Sequence, residues 1–167
     1  VDGTQWDNAN RGQYSTAFGL NNIALGIVSS VTGGATNVAN ADFSFIGGGQ
    51  LNSITLFGPN SVIGGGSSNG LTGSFNFIGG GEGNGITGEY SVVVGGQDNF
   101  VNTDNGFVGG GESNNVNAQY GTIVGGFTNT TTDTAPRSFI GAGRTNTISD
   151  NDSFIGGGES NSVTSDH

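Results

Sequence analysis

The side chains that could do chemistry are few and almost all of one kind. Thirteen Asp and Glu stand against three arginines, Arg11, Arg137 and Arg144, with one histidine and neither lysine nor cysteine. Paired carboxylates perform acid–base catalysis when held about 5 to 9 Å apart in a cleft. Glu82, Glu112 and Glu159 do share one place in a recurring pattern. Gln50, Ser67, Gln97, Phe127 and Arg144 take that place in the other copies, which is the mixture of a solvated face. Nucleophilic catalysis has less support still, because His167 is the last residue and no thiol exists to pair with it. No catalytic residue and no enzymatic activity are expected. Calcium is the one ion whose oxygen ligands are plentiful, but Asp150 with Asp152 make only a sparse cluster and no calcium-loop spacing occurs. No cofactor is expected. The glycine triplets are not phosphate loops either, since no lysine follows them.

What positions these groups is a repeat. Taking the aliphatic residue before each glycine run as position zero gives Val31, Ile46, Ile63, Ile78, Val93, Val108, Ile123, Ile140 and Ile155, mostly 15 residues apart and twice 17. Three residues on stands glycine every time: Gly34, Gly49, Gly66, Gly81, Gly96, Gly111, Gly126, Gly143 and Gly158. Six residues on stands asparagine every time: Asn37, Asn52, Asn69, Asn84, Asn99, Asn114, Asn129, Asn146 and Asn161. Eight residues on runs a second apolar column, Ile54, Leu71, Ile86, Val101, Val116, Ile148 and Val163, broken by Ala39 and Thr131. An irregular rung, Tyr14 to Gly19, precedes them at a spacing of 14. Pro59 and Pro136, the only prolines, fall in the two 17-residue rungs. Proline lacks the donor an interior strand needs, so residues 56–60 and 133–137 read as excursions from the wall.

Fifteen residues are too few for a strand, a crossover helix and two loops, which take about 30. Two short strands per turn fit, each pairing in parallel with its counterpart one rung away. The expected fold is therefore all-β, a parallel β-solenoid of about ten rungs. At about 4.8 Å per rung it makes a rod roughly 45 to 50 Å long. Residues 1–13 form a partial first rung or cap, and 14–167 the repeat domain. Glycine suits a turn with positive φ or a close approach of backbones. The asparagines read as a corner ladder, since Asn tolerates the left-handed region and stacked amides hydrogen-bond from rung to rung.

Beside the zero column lies another, Phe45, Val62, Phe77, Val92, Phe107, Phe139 and Phe154. Adjacent strand residues point to opposite faces, so both faces of this strand are apolar, while only one can line a thin coil. A bare phenylalanine row would be a large sticky patch. That column is expected to be an interface between identical chains.

Tyr14-Ser15-Thr16-Ala17-Phe18-Gly19-Leu20-Asn21-Asn22 and the Ser44-Phe45-Ile46-Gly47-Gly48-Gly49 type of rung resemble the left-handed parallel β-roll head repeats of trimeric autotransporter adhesins, and similar repeats of phage tail-fibre proteins. The likeness covers residues 14 to 167. It implies a homotrimer, display on a cell surface or virion, and binding to a host surface, matrix or glycan. The family's usual repeat has 14 residues with little polyglycine, whereas 15 with a glycine triplet prevails here, so the trimer packing could differ.

A net charge of −10 leaves no footprint for nucleic acid, and no run reaches the roughly 18 apolar residues of a membrane span. A chain opening at Val1 with no methionine is expected to be a processed product or a piece of a longer fibre, and open solenoid ends raise end-to-end filament assembly as an alternative. Specificity usually resides in loops, which makes Trp6, Phe57, Asn60, Asp133 and Arg137 candidate contact residues, although loops also tolerate insertions. A further alternative is ice binding. Thr55, Thr72, Thr87, Thr132 and Thr164, with Asn102, Asn117 and Ser149, form one outward column, joined by Ser53, Thr130, Thr147 and Ser162, though threonine also simply suits an exposed strand.

Overall fold

The computed structural model describes residues 11–164; Trp6 and His167 lie outside that range, as does most of the expected cap. Twenty two-residue strands follow one another, two to a rung, with no helix among the described residues. First strands, from Thr16–Ala17 to Phe154–Ile155, form one ten-stranded sheet, and second strands, from Ile23–Ala24 to Ser162–Val163, form another. Every pairing is parallel and joins strands one rung apart, so Phe77 stands over Val62 and Ile86 over Leu71. The chain is the parallel β-solenoid that its columns imply.

Strands this short cannot stand alone, and their stability comes from stacking. Val31, Ile46, Ile63, Ile78 and their successors from one sheet meet Ile54, Leu71, Ile86 and theirs from the other in a single fully buried core. Thr131 interrupts that core with a buried hydroxyl that has no partner. The two 17-residue rungs keep their strands in register. Their extra residues leave at the turn after the second strand, where Leu56, Phe57, Asp133 and Thr134 are exposed. The 14-residue rung is shorter at the other turn: four residues separate Ala17 from Asn22, and five separate Val31 from Asn37.

Both turns bend through left-handed residues. At the glycine turn the third glycine takes φ between 80° and 110°, as in Gly34, Gly96 and Gly143. A side chain there would also overlap the next rung's carbonyl oxygen. The residue before each asparagine is left-handed as well, including Thr36, Leu51 and Asp98 at φ 59°, 59° and 52°. The asparagines themselves are not, because their side chains point into the corner and bond there; the left-handed residue at this corner is the one before them.

A matching left-handed column occupies the second turn, at Tyr14, Val28, Phe43, Asn60, Phe75, Tyr90, Asn105, Tyr120, Arg137 and Asp152. Such conformations cost about 1 kcal/mol or more for ordinary residues. Turning the peptide lets these residues bond backwards. Phe77 N–H donates forward to Ser91 O at 3.0 Å, whereas Tyr90 N–H donates back to Ser74 O at 3.1 Å, and Asp98 N–H back to Glu82 O at 2.9 Å. Each rung is thus tied to both neighbours at its corners.

Candidate functional site

From Asn22 to Asn146 each asparagine of the ladder has its amide satisfied by protein. Asn99 Oδ1 accepts from the backbone N–H and the Nδ2 of Asn114, both at 3.0 Å. Asn99 Nδ2 donates to Asn84 Oδ1 at 3.1 Å, to Gly95 O of its own rung at 3.1 Å, and to Gly111 O of the next at 2.9 Å. The pattern starts a rung earlier than the nine regular copies, at Asn22, whose Oδ1 accepts from Asn37 N–H at 2.8 Å. It continues to Asn161, which donates to Asn146 Oδ1 at 2.9 Å. Up to Asn146 these groups are buried and engaged with the fold, which closes them to ligands.

The second turn holds a smaller polar ladder of serines. Ser29 Oγ donates to Gly26 O at 2.7 Å and Ser44 Oγ to Ala41 O at 2.6 Å. Ser91 Oγ donates to Thr103 O and accepts from Gly106 N–H, both at 3.0 Å. Its sequence signal was the serine that opens each Ser-Phe-Ile or Ser-Val-Val rung, two residues before the zero position.

Outside this frame lie two broad faces and two narrow edges. The phenylalanine column sits on the outer face of the first-strand sheet, with Phe45, Phe77 and Phe154 exposed at 38%, 42% and 69%, and Val62, Val92, Phe107 and Phe139 intermediate. Each ring lies along its own rung above the glycine two residues on. A methyl placed on Gly79 would touch Phe77 at 3.4 Å, and one on Gly47 or Gly109 would meet Phe45 or Phe107 likewise. Where Val92 or Thr122 replaces phenylalanine, Val94 or Val124 fills the glycine position. Bulk is shared along those rungs, whereas Val62 with Gly64 leaves a shallower place in the ribbon. Phe139 and Phe154 stack along it, with ring centroids 5.3 Å apart and planes within 7°.

The outer face of the second-strand sheet is neutral too, but polar: threonine, serine and asparagine dominate it, with Phe100, Gly70 and Gly85 among them. Charge is confined to the edges. From Asp42 to Glu159 every Asp, Glu and Arg occupies one of the two turns, and none occupies an outward strand position on either sheet. Glu82, Glu112, Glu159 and Arg144 line the glycine edge, where Arg144 reaches Glu159 at 3.6 Å and lies over Phe127 at 5.7 Å from the ring centre.

The other edge carries exposed aromatics that the sequence reading did not single out: Tyr14, Phe43, Phe75, Tyr90 and Tyr120, with Phe75 and Tyr90 stacked at 5.0 Å. Their spacing of three before the zero position was visible, but Val28, Asn60 and Asn105 break the column. The candidate contact residues Phe57, Asn60, Asp133 and Arg137 belong to this edge and are exposed. The structure does not gather them at one place, since the two insertions stand five rungs apart. Arg137 instead pairs with the next rung's Asp152, Nε to Oδ1 at 2.6 Å and its second nitrogen to Oδ2 at 2.7 Å. The hydrogen bonds from Arg137, with its charge, hold the Asp152 carboxyl below the usual aspartate range and raise the arginine in return.

Among the described residues no group of three or more acidic or histidine side chains converges as a metal site, and no pocket opens in the surface. No helix among them is long and apolar enough to cross a membrane. The fold and these faces define a parallel β-solenoid repeat protein. No protein-family model matches the chain, and no curated protein matches it at a significant level.

Proposed function

We propose that this chain is a non-enzymatic fibre segment that associates with identical copies through the phenylalanine ribbon, as a surface-displayed adhesin or tail-fibre element. The observation that carries this reading is the ribbon itself, a charge-free face that is apolar from Phe45 to Phe154 except at Thr122. A surface that repeats once per rung is matched along its whole length only by another with the same repeat, and a copy of this chain has it. The described carboxylates sit on the edges, so none is buried when the ribbon is covered. Each half-exposed ring that becomes covered contributes on the order of 1 kcal/mol, and a row of them supports a stable assembly, with three copies as the expected number. The edges, with their loops and aromatic column, then remain outward and would make contact with a host surface, matrix or glycan.

The test is the solution mass of the wild-type chain beside a Phe77→Lys, Phe107→Lys double variant. The reading expects a multiple of 16.6 kDa for the first and 16.6 kDa for the second, with the β-rich circular dichroism spectrum retained. A wild-type monomer would defeat it. Retention on immobilised host glycans or cells, lost when residues 56–59 are trimmed to the two-residue turn of the other rungs, tests the adhesive part separately.

A further inference from the structure

We propose that the polar face of the second-strand sheet binds ice. The position one residue beyond each second strand carries a hydroxyl or an amide in nine successive rungs, from Asn40 to Thr164. The neighbouring column adds a second such group in the last four rungs, where Thr130 accompanies Thr132 and Thr147 accompanies Ser149. Parallel stacking fixes their pitch at about 4.8 Å along the rod, and two extended residues separate the columns by about 6.6 Å. An ice surface presents oxygens in fixed rows at comparable repeats. A protein that docks on it needs flat, rigid, periodic groups of this kind, with methyls between them and no strongly hydrated charge.

Three observations point to that ligand rather than to an ordinary solvated sheet. Beta propensity accounts for threonine, but an exposed sheet of a soluble protein ordinarily mixes in Lys, Arg, Glu and Asp. None of these occupies an outward strand position on this face, in a chain of net charge −10. Thr72, Thr87, Thr130 and Thr147 keep hydroxyls with no hydrogen bond to other described residues; in the same two columns the Thr55 hydroxyl is buried, the Thr132 hydroxyl bonds Thr134, and Asn102 bonds Asn115 and Asn117, so the free outward groups are the threonines first named. The strand residues alternating with them, among them Leu71, Ile86 and Ile148, are fully buried, and the asparagine ladder runs one residue before each second strand. The array is held rigid from beneath. Gly70, Gly85 and Phe100 interrupt the neighbouring column, which places the best-ordered part at the C-terminal rungs. This face lies opposite the phenylalanine ribbon, so the inference does not depend on self-association.

The test is made on the full chain at a protein concentration in the micromolar range, by nanolitre osmometry and ice-recrystallisation assay. The expected result is faceted ice growth with a gap between melting and freezing temperatures. That gap should be lost in Thr147→Lys and in Thr164→Lys, each with an unchanged circular dichroism spectrum, and kept in Glu82→Lys on the glycine edge. A wild-type chain that neither shapes ice nor slows recrystallisation overturns the proposal. So does a gap that survives both face substitutions. If Thr147→Lys fails to fold, Thr164→Lys at its exposed site in the last described rung decides alone. The solution mass, measured in parallel, reports on self-association whatever the ice assay shows.

Discussion

Replacing Asn99 by alanine removes one link from the middle of the ladder. The side chain is fully buried, so no water takes its place. The backbone N–H of Asn114 loses its acceptor, and Gly95 O loses the amide donor that meets it. Gly111 O keeps a bond from Gln97 N–H at 2.9 Å, and Asn84 Oδ1 keeps one from Asn99 N–H at 3.0 Å. Two groups are thus left bare, the fully buried N–H of Asn114 and the carbonyl of half-buried Gly95. At about 1 to 3 kcal/mol for each unsatisfied group, the expected loss is about 2 to 6 kcal/mol, a large part of the stability of a domain this size. Urea denaturation followed by circular dichroism, at one fixed protein concentration, measures it. Asn161→Ala at the last described rung, where the amide is partly exposed, serves as the comparison and should cost under half as much. An Asn99→Ala midpoint indistinguishable from wild type would refute the claim that the ladder holds the corner.

Four further substitutions probe the turns, the core and the one tight ion pair. Gly96→Ala, at φ 92° and facing the carbonyl of Gly111, should destabilise by more than about 1 kcal/mol, whereas Gly70→Ala, with open space about it, should be near neutral by the same denaturation assay. Thr131→Val should raise the stability by about 1 kcal/mol in the same assay, because it removes a buried hydroxyl with no partner and keeps the shape of the core. Asp152 has a lowered carboxyl, so its contribution is present above the ordinary aspartate pKa and is lost as pH falls through the lowered value. Both partners are solvent-exposed, so acid titration monitored by NMR should show the shift, which Arg137→Gln should abolish, with little change in melting temperature.

How much of this was legible in the sequence depended on the period. The zero column, Gly34 and its successors, and Asn37 and its successors repeat with little variation because each meets its own copy above and below. A stacked position has few solutions. The same logic placed Pro59 and Pro136 in turns. Conformation at the corner was harder to read: Asn was the obvious left-handed residue, yet Thr36, Leu51 and Asp98 adopt that conformation instead, held by a backward hydrogen bond that only the three-dimensional stacking supplies. The edge aromatics were obscured for the opposite reason. Tyr90 and Phe75 point outward, nothing in the coil dictates the residue type there, and Asn60 or Arg137 serves as well. What the faces do was legible only as composition. The separation of charge onto the turns emerged once every residue had a place on the coil.

The claim on which the functional account rests is that the phenylalanine ribbon is covered. Fluorine NMR of the chain labelled throughout with fluorophenylalanine, with a soluble paramagnetic quencher added, addresses it residue by residue. The account predicts that the signals of Phe45, Phe77, Phe107 and Phe139 resist quenching while that of Phe57, exposed at 72% on its loop, is lost. Equal quenching of the ribbon and Phe57 would contradict it.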